Sequence, residues 1–115
     1  MKTGEWWKGT AQHMWRTFFA LERDGFVWDS LPDVQKKNYA VCQHVFTKYF
    51  VKADQDILRM YFSSRWGDDL YAVEDYSLKK NIPTHVIWIV IRKANRAVME
   101  ELGLLEKRGN GEEDG

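Results

Sequence analysis

The chain has only one cysteine, Cys42, so it has few residues that could stabilise the fold through a covalent or metal cross-link. One cysteine excludes a disulfide within the chain and a zinc site built on cysteines. The longest apolar run, residues 86–91, has six residues, whereas a bilayer-spanning helix needs about 20. The basic, apolar and small-residue pattern of a signal peptide is also missing. These absences predict a cytoplasmic protein that does not enter the membrane.

An excess of either charge is missing as well, since 17 Lys and Arg residues stand against 17 Asp and Glu residues. Residues 1–52 carry eight basic and five acidic residues, and residues 53–108 carry nine of each. Residues 109–115 carry three acids and no base, and they are predicted to form a flexible acidic tail. A typical nucleic-acid-binding domain is visibly basic. The charge pattern disfavours tight DNA binding by a single copy, although a neutral domain can still carry a basic face.

Sequence motifs of catalysis are missing too. The chain has no Gly-rich phosphate loop, no G-x-S-x-G nucleophile motif and no H-E-x-x-H zinc motif. Adjacent acids such as Glu74 and Asp75 diverge by about 100° on a helix and do not face a common site. His13 and His44 have no ligand partners at helical spacing nearby. We therefore expect neither an enzyme nor a metal or cofactor site.

What the chain does have is large aromatic side chains, which make up 15% of its residues. Each buried aromatic removes roughly 150–250 Å² of surface from water, so a real core can form. Apolar residues recur at steps of three and four, which is the helical period. The pattern predicts an all-α fold of about five helices in one compact domain.

Residues 1–52 are predicted to form an N-terminal helical pair that packs on the rest of the chain. Thr10 is a suitable N-cap for the first helix, and Gly25 ends it. Ser30 or Leu31 at the cap, with Pro32 in the first turn, predicts a second helix to about residue 50. The inward positions expected in these helices are Ala11, Met14, Trp15, Phe18, Phe19, Leu21, Val34, Tyr39, Val41 or Cys42, Val45, Phe46 and Tyr49.

Residues 53–108 are predicted to form a three-helix unit. Asp54 caps its first helix, and residues 67–69 form a turn that caps the next. Asn81 can adopt the left-handed turn conformation, and Pro83 opens the last helix. A short helix, a tight turn and a longer helix form the skeleton of a helix-turn-helix. The inward positions expected before the turn are Ile57, Leu58, Met60, Tyr61, Phe62, Val73, Tyr76 and either Leu78 or Ser77.

The same segment carries a family resemblance. Its elements are a leading helix at 57–62, a second helix at 72–80 with the small Ser77, and the turn at 81–83. The inward positions of the third helix are Ile87, Val90, Ala94, Val98 and Leu102. With these elements, residues 54–105 resemble region 4 of sigma-70-type factors, and more closely the small sigma-region-4-like regulators of phages and prophages, which include late-gene transcription activators. The resemblance covers about half of the chain.

The resemblance implies a phage-type transcription regulator that binds promoter DNA, RNA polymerase or both. A neutral domain of this size offers few phosphate contacts, which favours a homodimer. Base or phosphate contacts are expected from Thr84 and His85, which open the third helix of the unit. Phosphate contacts are expected from the basic residues on either side of the turn, Lys79, Lys80, Arg92, Lys93 and Arg96.

The apolar run at 86–91 supports a second interpretation, because a DNA-reading helix usually shows polar side chains there. The chain would then be a protein-binding module or inhibitor, such as a phage protein that acts on a host or defence protein. A DNA-packaging terminase small subunit is a third alternative. The interface residues expected under the second interpretation are Trp6, Trp7, Val86, Trp88 and Ile89.

Overall fold

Five α-helices build the part of the chain that the computed structural model describes, which is residues 7–63 and 69–105. In chain order they are α1 (Lys8–Asp24), α2 (Asp33–Tyr49), α3 (Lys52–Phe62), α4 (Asp69–Lys80) and α5 (Thr84–Glu101). No strand occurs within these residues, which confirms the all-α prediction. The predicted acidic tail, Trp6 and most of the predicted turn at 67–69 lie outside the described residues.

The start of α1 lies earlier than its sequence predicts. The expected cap was Thr10, but the helix begins two residues before it and Trp7 is the cap residue. The Trp7 side chain is buried, and its carbonyl accepts the Ala11 N–H at 3.0 Å, so the first turn is held in place by the core. The end of α1 is as predicted, since Gly25 follows it with a positive φ of 82°.

The start of α2 also differs from the prediction. The Ser30 hydroxyl donates to the Val27 carbonyl at 2.7 Å and closes a 3-10 turn at Trp28–Ser30 instead of capping α2. Neither Ser30 nor Leu31 is the cap residue, because Pro32 takes that position and α2 begins one residue later. Proline suits this position, because its fixed φ of −59° is compatible with the extended backbone before a helix.

The start of α3 is fixed by contacts with the end of α2. Asp54, the predicted cap, lies in the first turn, and Val51 is the cap residue. The Val51 carbonyl accepts the Gln55 N–H at 2.9 Å. The Gln55 side-chain amide donates to the carbonyls of Phe46 and Phe50, each at 3.0 Å, which satisfies two carbonyls at the α2 terminus. One glutamine therefore joins the two helices.

The core is organised around the Trp15 indole of α1. Its ring stacks on Phe19 and Phe62, with centroids 5.9 and 5.8 Å apart. Its N–H donates to the Ala94 carbonyl of α5 at 3.1 Å, so the buried polar group has a partner. The predicted inward positions that are buried are Ala11, Met14, Trp15, Phe18, Phe19, Tyr39, Cys42, Val45, Phe46, Ile57, Leu58, Tyr61, Phe62, Val73, Ile87, Val90, Ala94 and Val98.

The longest helix, α5, occupies the centre of the fold, because it packs against each of the other four helices. The helices α1 and α2 pack on each other and on α5, α3 and α4 do the same, and α1 also packs on α3. The helices of residues 1–52 and those of residues 53–108 therefore share one core. Among the described helices, none has both the length and the hydropathy needed to cross a bilayer.

Three residues with predicted inward positions face solvent instead. Val34 is 69% exposed, because it lies five residues before Tyr39 and thus about 140° away from it around α2. Tyr49 lies at the last turn of α2, where the core ends, and its side chain is also exposed. Leu78, one of two alternatives, is exposed, while Ser77 is half-buried. Of the other pair, Cys42 is buried and Val41 is half-buried.

Candidate nucleic-acid interface

A tight turn joins α4 to α5 at the place that the sequence predicts. Asn81 has a left-handed φ of 58°, a conformation that asparagine tolerates better than most residues. Ser77 holds the turn twice, because its carbonyl accepts the Ile82 N–H at 3.1 Å and its hydroxyl donates to the Ile82 carbonyl. Pro83 is the cap residue of α5, where its missing N–H removes no helical hydrogen bond. A helix, a tight turn and a longer helix are thus present in the predicted order.

The apolar run at the start of α5 is divided between the core and the surface. Ile87, Val90 and Ile91 are buried, as their helical spacing requires. Trp88 is half-buried, with its ring edge against Tyr61 at a centroid distance of 5.5 Å, so it extends the core and is no exposed interface residue. The two remaining residues of the run, Val86 and Ile89, are exposed.

Most of the polar and basic residues of α5 lie on the side that the other helices leave uncovered; Asn95 is buried instead, and Thr84 is exposed because it is the first residue of the helix. Thr84 and His85 are exposed in the first turn, and Arg92 and Lys93 are exposed two turns later. His85, Ile89, Arg92 and Arg96 follow one another at steps of four, three and four residues, which places them along one stripe of the helix. We call this stripe, together with Thr84 and Lys93, the outer face of α5.

A groove with a volume of about 830 Å³ runs beside the C-terminal half of this face. Three elements that are distant in sequence form its walls. They are the start of α1 with Trp7 and Lys8, the end of α2 with Tyr49 and Phe50, and α5 from Ile89 to Glu101. We call it the α5 groove.

The charged side chains of the α5 groove differ in whether they have a partner among the described residues. Arg96 is only 30% exposed, and its Nε donates to the Glu100 carboxylate at 2.7 Å. The Tyr49 hydroxyl donates to the Glu101 carboxylate at 3.1 Å. Arg92 has no carboxylate partner in the described part of the chain. The groove contains four basic side chains and two acidic ones, so it is positively charged overall.

The groove also contains Asn95, a residue that sequence reasoning missed. Asn95 is 2% exposed, and its Oδ1 has no hydrogen-bond partner in the described part of the chain. A buried acceptor without a partner costs about 1–3 kcal/mol. Its burial was readable from spacing, because Asn95 stands four residues after Ile91 and three before Val98 on the inward side of α5.

Two of the predicted phosphate contacts, Lys79 and Lys80, lie away from the groove. Lys79 pairs with Asp75 one turn earlier at 2.9 Å, with both side chains exposed. The Lys80 ammonium lies 5.9 Å from the Tyr76 ring centroid. A hydrogen bond from Lys52 lowers the pKa of the Asp56 carboxyl, and the charge of Lys80 adds to the effect, which places Lys80 towards α3.

Of the two N-terminal tryptophans predicted as interface residues, Trp6 lies outside the described residues and Trp7 lies within them. Trp7 is 7% exposed and belongs to the core, while one side of it contributes to the groove wall. It is therefore no projecting anchor for a partner. The predicted site residues that the structure brings together in the groove are Trp7, Ile89, Arg92, Lys93 and Arg96.

Comparison of the chain with protein-family models, curated proteins and solved structures finds no match.

Proposed function

We propose that the chain binds double-stranded DNA through the outer face of α5 and acts in the cytoplasm as a phage-type transcription regulator. The observation that supports the proposal is the division of α5 into two sides. The core takes Ile87, Ile91 and Val98, while Arg92 and Lys93 remain exposed on the other side. A binding role rather than a catalytic one fits this surface.

The dimensions of α5 suit the duplex. A helix with its side chains is about 10–12 Å wide, and the major groove of B-DNA is about 12 Å wide. In this arrangement Thr84 and His85 at the start of α5 meet base edges or phosphates, and Arg92 and Lys93 pair with phosphates. Exposed Ile89 lies between them and can contact a thymine methyl group.

The small number of available cations limits the affinity of one copy. Two phosphate contacts, from Arg92 and Lys93, correspond to a slope of log K against log salt of roughly −2, and Arg96 adds a third only where it leaves Glu100. Affinity of that origin is weak at physiological salt, so we propose that a homodimer or RNA polymerase supplies the additional binding energy. The resemblance to sigma region 4 supports the same partners.

A salt titration with a labelled mixed-sequence duplex, followed by fluorescence anisotropy, tests the proposal. We expect binding at about 50 mM salt that weakens steeply as salt rises. Arg92→Ala with Lys93→Ala should weaken it and reduce the salt slope by roughly 2. The matched control is Lys36→Ala with Lys37→Ala, which removes the same charge at the start of α2, the opposite end of that helix from the α5 groove, and should leave the slope closer to that of the parent.

A protein-binding function is the second candidate, and the exposed Ile89 beside the α5 groove favours it. The partner could then be a host or defence protein. Failure to bind duplex DNA at low salt by a folded chain would count against the first proposal and favour this one. With a partner in hand, Ile89→Glu should abolish binding, and Leu78→Glu, at a position that is 83% exposed on α4, should not.

A further inference from the structure

The α5 groove carries more positive charge than its own carboxylates neutralise. Its two carboxylates are engaged within the fold, since Glu100 accepts from Arg96 and Glu101 accepts from Tyr49. Arg92 has no carboxylate partner among the described residues. Lys93 lies over the Phe50 ring at 5.8 Å and has no carboxylate partner in those ranges either. An occupant of the groove should therefore be acidic.

The groove also requires a hydrogen-bond donor. Asn95 is almost completely buried in its wall, and Oδ1 accepts no hydrogen bond from any described residue. An N–H group of an entering molecule would satisfy this acceptor once the Asn95 side chain turns its Oδ1 towards the groove. A peptide segment with acidic side chains provides both features, because its carboxylates match the cations and its backbone supplies N–H donors.

The chain contains such a segment eleven positions after Glu101, the last residue of α5. We propose that the acidic segment Glu112–Asp114 of this same chain docks in the α5 groove. Gly103 has a positive φ of 80°, and the N–H groups of Leu104 and Leu105 both point to the Met99 carbonyl, at 2.9 and 3.3 Å. The chain therefore turns back at the end of α5 instead of continuing along its axis.

The chain after Leu105 is long enough to bring Glu112 from the end of α5 back to Arg92. Six residues lie between Leu105 and Glu112, and the seven steps from one to the other span up to about 23–25 Å when extended. Along α5, the nine steps from Glu101 back to Arg92 cover about 14 Å. A tether of this length gives an effective concentration on the order of millimolar, at which three carboxylates can occupy the groove for part of the time.

Docking of the segment places carboxylates where the proposed function places DNA phosphates. The segment and the duplex then compete for Arg92 and Lys93. This consequence rests on the proposed function, whereas docking itself does not. With about half of the molecules docked, neutralising Glu112–Asp114 should increase DNA affinity about twofold beyond the effect of the charge change alone.

Docking can be tested without DNA by a spin label on the full chain. Gly111→Cys provides the attachment site, because Cys42 is fully buried and stays unlabelled. At low salt the nitroxide should broaden the NMR signals of Arg92, Lys93 and the Asn95 side-chain amide. The broadening should disappear in E112Q/E113Q/D114N. It should decrease in Asn95→Leu, which removes the acceptor and leaves the charge unchanged.

A matched control separates docking from net charge. Asp29→Asn, Asp33→Asn and Glu74→Gln make the same charge change, and the first two sites lie at the opposite end of the α1–α2 pair from the groove. This variant should keep the broadening. Broadening that is confined to residues near Leu105, or that survives E112Q/E113Q/D114N, overturns the proposal. If broadening occurs and DNA still fails to bind, the docking stands and the proposed function fails.

Discussion

The indole N–H of Trp15 donates to the carbonyl of Ala94 at 3.1 Å, which joins two residues that are 79 positions apart in the chain. The bond ties the first helix to the central one at the middle of the core. It also explains how a large polar-tipped side chain is fully buried without an orphan donor.

Trp15→Phe should lower the free energy of unfolding by about 2–3 kcal/mol. The smaller ring leaves a cavity between Phe19 and Phe62, and the Ala94 carbonyl loses its side-chain donor. Urea denaturation followed by circular dichroism measures the change. Trp28→Phe is the control, because Trp28 is 44% exposed, and we expect a change within about 0.5 kcal/mol. Equal losses for both variants would contradict the structure.

Asn81→Ala should destabilise the chain by about 1 kcal/mol, because alanine is strained at the φ of 58°. Asn81→Gly should be neutral or slightly stabilising, since glycine adopts this conformation without strain. Thermal unfolding of the two variants beside the parent gives the comparison. The turn would have a different conformation in solution if alanine and glycine behaved alike.

The variant E112Q/E113Q/D114N, in which the tail acids are neutral, is the background for the next substitution. In this background Asn95→Leu should raise the free energy of unfolding by about 1 kcal/mol. Leucine has a similar size and places no acceptor in the buried position of Asn95 Oδ1. Chemical denaturation of the two chains, with and without the leucine, measures the difference. A loss of stability would show that Oδ1 does have a partner in the folded chain.

Tyr39 should make stability depend on pH in the alkaline range. Burial first, and then the hydrogen bond to Glu22 and its charge, raise the pKa of Tyr39 from 10.0 to about 12. A group with a raised pKa in the folded state stabilises fully below its unfolded pKa, and the contribution is lost as pH rises through about 12. Urea midpoints between about pH 9 and 12 should therefore fall more steeply for the parent than for Tyr39→Phe. Parallel curves would exclude this role for Tyr39.

The buried positions of α1 were predictable because burial there follows the helical period alone. The spacing from Ala11 to Phe19 repeats at three and four residues, and each of those apolar positions is buried in the structure. The start of the same helix was not predictable in this way. It depends on whether Trp7 enters the core, which is decided by contacts with helices that lie far away in sequence.

The α5 groove could not be predicted from the sequence, because it is formed by contacts between helices that are distant in the chain. Periodicity identifies the side of a helix that faces inward, but the groove forms where the ends of α1 and α2 meet the middle of α5. Arg92 and Lys93 were predicted as phosphate contacts from their charge and position, and Tyr49 was wrongly expected in the core. That Asn95 lacks a partner for Oδ1 depends on the same tertiary arrangement.

The central position of α5 has a consequence for the order of folding during synthesis. Each of the four earlier helices packs on a helix that the ribosome makes after all of them. Until residues 84–101 emerge, the aromatic rings around Trp15 have no complete core to enter, and the nascent chain exposes them to other hydrophobic surfaces. Assembly of the fold therefore waits for its last helix, and pausing before residue 84 should increase aggregation or chaperone binding of the unfinished chain.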